Sequence, residues 1–279
     1  MLGPWITEDD KRAVMAVLDS GDLMSGKLVA KLEEELAAYF GKRHCVCVSS
    51  GTAALECAFV ATGEGEWIHP HGFVAILSAA RAAGHKPPEV CRGNAVRTDV
   101  LGVEVAPVTR VHDCAHRFDK GAAHAEVSCF SFAANKYVAA GGGCLVTNDS
   151  SVAAVSRQYR NHGRDGGPEI FREGRNLRMP EMSAALALSQ LARIDEILAR
   201  RKQVATWYDL AVPGPLWTSR ESWFLYPSIQ PGHKQRSLAD FRLFNSATQE
   251  DRDTALLPIW PTMTWQDVEA IVRELPCKS

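Results

Sequence analysis

His44-Cys45-Val46-Cys47-Val48-Ser49, then Ser50-Gly51-Thr52, then Ala53-Ala54-Leu55-Glu56-Cys57-Ala58-Phe59-Val60, is the stretch from which an α/β fold is read. The first six residues form a β-run, the next three are small, and the last eight make an apolar helix. A strand that turns tightly into a helix leaves the amides of the first helical turn without carbonyl partners, and the helix dipole adds partial positive charge there. Such a turn is an anion site, with Gly51 and Thr52 as the residues that would hold a phosphate and Ser50 beside them. Ordinary N-capping by Ser50 or Thr52 accounts for the same residues equally well.

Outward from this unit, short β-runs and alanine-rich helical segments alternate as far as about residue 150. They are helix 52–62, Trp67-Ile68-His69, helix 73–84, Val108 to His112, Val127 to Phe132 and Cys144 to Thr147. The alternation is the pattern of a sheet covered by helices. Segment 86–107 has weak periodicity.

On the N-terminal side, Thr7-Glu8-Asp9-Asp10 is a capping box with Asp in place of Glu, opening a short helix that stops at Ser20-Gly21. Leu28, Val29, Leu32, Leu36 and Phe40 outline a second helix ended by Gly41, with Glu33, Glu34 and Glu35 expected on its solvated side. Further on come helix 151–160, a turn-rich loop Arg164-Asp165-Gly166-Gly167-Pro168, and one long helix from about 180 to 201. The apolar face of that long helix, Ala184, Ala185, Ala187, Leu188, Leu191, Ile194, Ile197 and Leu198, reads as core packing. Residues 1–201 are expected to form a large domain and 202–279 a small α+β domain, with a strand at Trp223-Phe224-Leu225-Tyr226 and a last helix capped by Thr264 and stopped at Pro276.

With 279 residues, 46% of them hydrophobic, the chain has enough apolar side chain to bury a full core. A net charge of -2 offers no basic stripe for a nucleic-acid backbone. Eight cysteines stand singly in apolar runs without metal-like spacing and read as reduced, buried small residues, so no metal is expected. Met1-Leu2-Gly3-Pro4-Trp5-Ile6 is followed by no continuous apolar run, so no membrane span is expected and the cytoplasm is the default compartment.

Two further segments carry chemistry. Ser131-Phe132-Ala133-Ala134-Asn135-Lys136 precedes Gly141-Gly142-Gly143, setting a lysine between a hydroxyl and a flexible glycine run. A lysine amine with a reference pKa near ~10.4 is mostly protonated at neutral pH, and burial disfavours the ammonium form. Phe130, Phe132, Val138 and Ala139 supply apolar surroundings, which is the route to a Schiff-base lysine. A strand-end lysine snorkelling past a turn is the alternative. The β-run Val108-Thr109-Arg110-Val111 leads through His112 to Asp113, an acid facing the usual ligand crevice of an α/β sheet. Pyridoxal 5'-phosphate requires such an acid, because a carboxylate beside the pyridine nitrogen keeps it protonated. Helix N-capping before Cys114-Ala115-His116 is the alternative for Asp113. A phosphate-binding P-loop built on Gly141-Gly142-Gly143 is disfavoured, since no GK[ST] follows and a β-run rather than a helix comes next.

In order along the chain, these segments resemble the DegT/DnrJ/EryC1/StrS aminotransferases, the sugar-aminotransferase branch of fold-type I pyridoxal-phosphate enzymes. The resemblance rests on Leu18-Asp19-Ser20-Gly21 with Gly26, Ser50 to Leu55, Pro70-His71-Gly72-Phe73-Val74-Ala75, His112 to His116, and Phe130 through Lys136. It continues through Arg160-Asn161-His162-Gly163, Gly174-Arg175-Asn176-Leu177-Arg178-Met179 and the ending Leu257-Pro258-Ile259-Trp260-Pro261. The resemblance implies that Lys136 forms a Schiff base with the cofactor and shuttles the proton of transamination, and that Asp113 pairs with the pyridine nitrogen. It also implies a fold-type I architecture with a mixed, mostly parallel sheet covered by helices. For the site it implies that Phe73 stacks on the ring, that Gly51, Thr52 and Ser131 contact the phosphate with Ser50 also at the cofactor, and that Asn176 reaches the phosphate of the neighbouring subunit in a homodimer. His116 stands where the family usually has a glutamine bonded to the ring oxygen. A dehydratase branch replaces the lysine with histidine; this chain keeps Lys136.

The function so implied is amino transfer from an amino acid such as glutamate to a keto-sugar, most simply a nucleotide-linked one. The alternative is a cofactor-binding regulatory partner without turnover, because the sequence looks abridged before the Asp-bearing strand and in the tail.

Overall fold

The computed structural model describes residues 3–24, 26–63, 73–86, 97–98, 110–212, 225–229 and 254–275. The expected strand at Trp67-Ile68-His69, Pro70-His71-Gly72, most of 86–107, Val108-Thr109, Trp223-Phe224 and Pro276 lie outside these residues. In chain order the elements are α1 Glu8–Ser20, α2 Lys27–Tyr39, β1 His44–Val48, α3 Gly51–Thr62, α4 Val74–Ala82, β2 Arg97–Thr98, β3 Val111–Asp113 and β4 Val127–Ser131. They continue with β5 Gly143–Thr147, α5 Ser150–Arg160, α6 Glu181–Leu191, α7 Ile194–Ala211, β6 Leu225–Ile229, β7 Thr254–Pro258 and α8 Trp265–Arg273.

Five strands form one sheet in the order β1-β5-β4-β3-β2. β5 is antiparallel to both of its neighbours, whereas β4 pairs with β3 and β3 with β2 in parallel. Four strands therefore share one direction and β5 alone is reversed, the mixed, mostly parallel sheet that the family resemblance implies.

Strands β1, β3, β4 and β5 are buried on both faces, so their residues divide between two cores. Cys45 and Cys47 of β1, Phe130 of β4 and Cys144 and Val146 of β5 pack under α2, α6 and the start of α7. Val46, Val48, Val111, Val127, Cys129 and Leu145 face the opposite core, built with α3, α4 and α5. Burial on both sides explains why these strands read as continuous apolar runs instead of alternating ones. The six cysteines at 45, 47, 57, 114, 129 and 144 are free thiols in these cores. Tail packing is separate: Val204, Ala205 and Tyr208 of α7 bury against Leu257, Ile259, Met263 and Val268.

Local signals account for the element ends. Thr7 accepts from the Asp10 amide while Asp10 accepts from the Thr7 amide, so the aspartate version of the capping box opens α1, and Gly21 closes it at φ +73°. Thr264 and Asp267 repeat the box at α8.

Two expectations are corrected. Glu33 does not belong to a solvated face: its carboxylate accepts from the Cys47 amide at 2.9 Å and pairs with Arg157 and Arg160. Strand β1 and helix α5 thus converge on a side chain that helical spacing alone assigns to solvent. The long helix at 180–201 is two helices, broken at Ala192–Arg193 and extended to Ala211. Arg193 leaves helical geometry and reaches the Asp10 carboxylate at 2.7 Å and the Trp5 carbonyl at 2.6 Å. The break thus coincides with an interior ion pair between Arg193 and Asp10 of α1.

Candidate active site

Because β1, β3 and β4 share a direction, Val48, Asp113 and Ser131 finish at one edge of the sheet, where the reversed β5 begins at Gly143. The carboxyl edge of such a sheet is the usual ligand crevice. A cavity of about 290 Å³ opens there, bounded by Ser50, Gly51, Thr52, Phe73, Asp113, His116, Ser131 and Lys136, with Asn135 and small apolar residues between them. Its volume is close to the lower end of the ~300–1,000 Å³ usual for ligand pockets. Among the predicted site residues, all but Asn176 line this one cavity.

The strand-turn-helix unit forms one wall. Ser50 accepts from the Ala53 amide at 3.0 Å and so caps α3, while the amides of Gly51 and Thr52 fall in the helix's first turn. Capping and ligand contact are therefore compatible at this turn. Gly51 has a close-packing role as well: a Cβ there would lie 2.6 Å from the Ser131 Cβ, so only glycine lets the β1–α3 turn meet the end of β4.

The acid wall follows β3. Asp113 is only 4% exposed, and its Oδ1 accepts from the Ala115 amide at 3.0 Å. Cys114 to Phe118 form a turn, not a helix, which removes the N-cap reading of Asp113. The bond to Ala115 instead fixes the carboxylate at the cavity edge.

Lys136 rides on a loop closed at its base by Phe132 and Gly142, the Phe132 amide donating to the Gly142 carbonyl at 2.9 Å. Within the loop the Lys136 amide donates to Ala133 at 2.8 Å. Phe130, Phe132 and Val138 are buried around its base, as the sequence predicts. Phe73 stands at the N-cap of α4, 39% exposed on the cavity rim. His116 is buried, and its carbonyl accepts from the Tyr137 hydroxyl at 2.7 Å, which ties the acid wall to the lysine loop.

Asn176 is held elsewhere. Its segment is bonded to β1 and α5 through Ser49 to Leu177 at 2.8 Å and Leu177 to Arg160 at 2.9 Å. The exposed Asn176 side chain accepts from Arg178 at 3.0 Å, so within one chain it does not join the cavity.

Sequence reasoning missed Asn135, Tyr137 and Arg201. Asn135 and Tyr137 flank the lysine and carried that proximity as their signal; Arg201, 65 residues further on, carried none.

The donor set fits pyridoxal 5'-phosphate: a first helical turn and Ser131 for the phosphate, a fixed carboxylate for the ring nitrogen, an aromatic on the rim and a lysine in the same cavity. The sequence matches the DegT/DnrJ/EryC1/StrS aminotransferase family over residues 4–91 and 109–229. The chain belongs to that family. It is accordingly an aminotransferase of a pyridoxal-phosphate-dependent family. The family match skips residues 92–108, which overlap all but the start of the weakly periodic segment 86–107.

Among curated relatives, UDP-4-amino-4-deoxy-L-arabinose--oxoglutarate aminotransferase of Shewanella sediminis is 30% identical over 80% of this chain and 73% of its own. GDP-perosamine synthase of Caulobacter vibrioides is 27% identical over 74% and 68%. The Helicobacter pylori structure of PseC, an aminotransferase involved in the biosynthesis of pseudoaminic acid, superposes with a TM-score of 0.81 at 22% identity, covering 98% of this chain and 96% of that one. The fold is thus that of the pyridoxal-phosphate aminotransferases. Among the described residues no helix is long and apolar enough to cross a membrane, and no three His, Cys, Asp or Glu side chains are grouped to hold a metal.

Proposed function

We propose that the chain moves an amino group from glutamate to a nucleotide-linked keto-sugar, working as a homodimer. The observation that carries this reading is the convergence of Lys136, Asp113 and the first turn of α3 on one cavity. When bound, pyridoxal phosphate supplies the electron-drawing ring that makes the amino-bearing carbon acidic.

Every other role falls to the chain. Lys136 would hold the cofactor aldehyde through its amine and, once the donor's amino group has displaced that amine and freed it, would take the proton from one carbon and return it to the other. Asp113, held by the Ala115 amide, keeps a proton on the ring nitrogen. Gly51, Thr52 and Ser131 would hold the phosphate with Ser50 beside them, Phe73 would cover the ring, and His116 would bond its oxygen. Asn176 serves the phosphate of the neighbouring subunit. A nucleotide-linked acceptor is supported by the relatives named for UDP- and GDP-linked sugars. Glutamate as donor is supported by the oxoglutarate in one of those names, since oxoglutarate is what glutamate becomes on giving up its amino group.

Spectroscopy of the purified protein with added cofactor tests the reading. A visible absorption band is expected in the wild type, lost in Lys136→Ala, and converted by glutamate to the pyridoxamine form. Protein that takes up no cofactor refutes the assignment. A stable band that no amino acid converts favours a cofactor-binding partner without turnover.

A further inference from the structure

Beneath the lysine loop lies a guanidinium that none of the roles above uses. Arg201, on α7, is 1% exposed. Its Nη2 donates to the carbonyls of Lys136 at 3.0 Å and Asn135 at 3.3 Å, and its Nη1 to the carbonyl of Ile259 at 2.9 Å. The Cζ sits 4.8 Å from the centre of the Tyr137 ring, and the hydroxyl of that ring holds the His116 carbonyl. Burial draws the guanidinium down to about 10, which leaves it charged at neutral pH.

A buried cation is a costly way to hold a loop, and a well-packed apolar side chain of like volume often serves stability as well or better. What an apolar side chain lacks is a rigid fork of donors with fixed directions. Two of the carbonyls on this fork belong to Asn135 and Lys136, both of which line the cavity. Tyr137, stacked on the same guanidinium, sets the position of His116 on the facing wall.

We infer that Arg201 is a positioning residue for Lys136: by gripping the peptide of the lysine turn it sets where the amine enters the cavity. The inference rests on the proposed bond between Lys136 and the cofactor. It separates two things that a purely structural residue would lose together, the binding of cofactor and its attachment to the lysine.

The test compares wild type, Arg201→Met, Arg201→Lys and Arg200→Met at saturating pyridoxal phosphate. Arg200 is the control, since it also ties α7 to the tail, donating to Pro261 at 2.9 Å and Met263 at 2.8 Å. Bound cofactor is measured by equilibrium dialysis, the attached share by borohydride reduction and the mass of the Lys136 peptide, and folding by thermal melting. In folded Arg201→Met the attached share of bound cofactor is expected to fall roughly tenfold or more, because the effective concentration of an amine depends steeply on its placement. Arg201→Lys, with a cation but no fork, is expected to show the same loss, and Arg200→Met to match wild type.

An unchanged share in folded Arg201 variants overturns the inference. So does an equal loss in Arg200→Met, or failure of both Arg201 variants to fold where Arg200→Met folds. Wild-type protein that binds cofactor with none on Lys136 instead overturns the proposed function, and the role of Arg201 with it.

Discussion

At the scale of single residues, Gly143 shows how tightly the cavity edge is built. A Cβ there would stand 2.5 Å from the Phe130 carbonyl oxygen and 2.6 Å from the Gly51 nitrogen, joining β4, β5 and the α3 turn at one point. Gly143→Ala is therefore expected to lower stability by about 1–3 kcal/mol through overpacking and to weaken cofactor uptake with it. Gly167→Ala, with nothing within 4 Å of its added carbon, should melt with the wild type, and thermal denaturation of the pair checks both statements. In sequence the glycine run reads as freedom around Lys136, whereas in the structure Gly143 serves close approach. The residues of the proposed site were legible because each stands where a β-run ends: Asp113 at the end of β3, Ser131 at the end of β4, Gly51 just after β1. Glu33 and Arg201 were not, because their partners are supplied by tertiary packing: Arg160 lies 127 residues from Glu33. No local pattern encodes such a meeting.

At the scale of elements, the attachment of α1 depends on Asp10. Its carboxylate, fully buried, accepts from Thr7 at 2.8 Å, from Ser189 at 2.6 Å and from Arg193 at 2.7 Å, joining α1 to α6 and to the break before α7. Asp10→Ala strands the largely buried Arg193 guanidinium, and a loss of about 3 kcal/mol is expected in urea denaturation. Burial pushes the Asp10 carboxyl up, but the Ser189 and Thr7 hydrogen bonds and the Arg193 charge together outweigh it and hold it below the ordinary 3.8. A group lowered on folding stabilises fully above its unfolded value, and that contribution fades as pH falls through the lower folded one. Wild-type stability should therefore decline with acid from just above 3.8 downward, and Asp10→Asn should show a shallower decline across that window. A parallel pair of stability–pH curves would rule this out. The same contact marks what periodicity concealed between 180 and 201. Leu191, Ile194 and Ile197 all remain in one core, so the apolar stripe runs on past the break at which Arg193 meets a partner in another helix.

At the scale of the whole molecule, the reversed β5 lets the ends of β1, β3 and β4 and the start of β5 share one edge, and the proposed site occupies it. Asn176 is the exception, since bonds from its segment to Tyr159, Arg160 and Ser49 fix it beside the end of β1 with its side chain outward. Those backbone bonds hold the segment outside the cavity lining, which supports the proposal that its amide serves a second copy of the chain. The proposed dimer makes this assignment testable by mixing subunits. Lys136→Ala alone has no attachment point in either cavity, and Asn176→Ala alone has both lysines but no amide from its neighbour. In a mixed dimer the Lys136→Ala subunit still offers Asn176 to the partner cavity, which still holds Lys136, so one complete site returns. Random reassortment of equal amounts is then expected to restore about a quarter of wild-type activity, since half the dimers are mixed and each carries one intact site of two. If Asn176 acted in its own chain, every cavity would lack one group or the other and mixing would restore nothing. Activity after co-refolding, compared with each variant refolded alone, decides between the two arrangements.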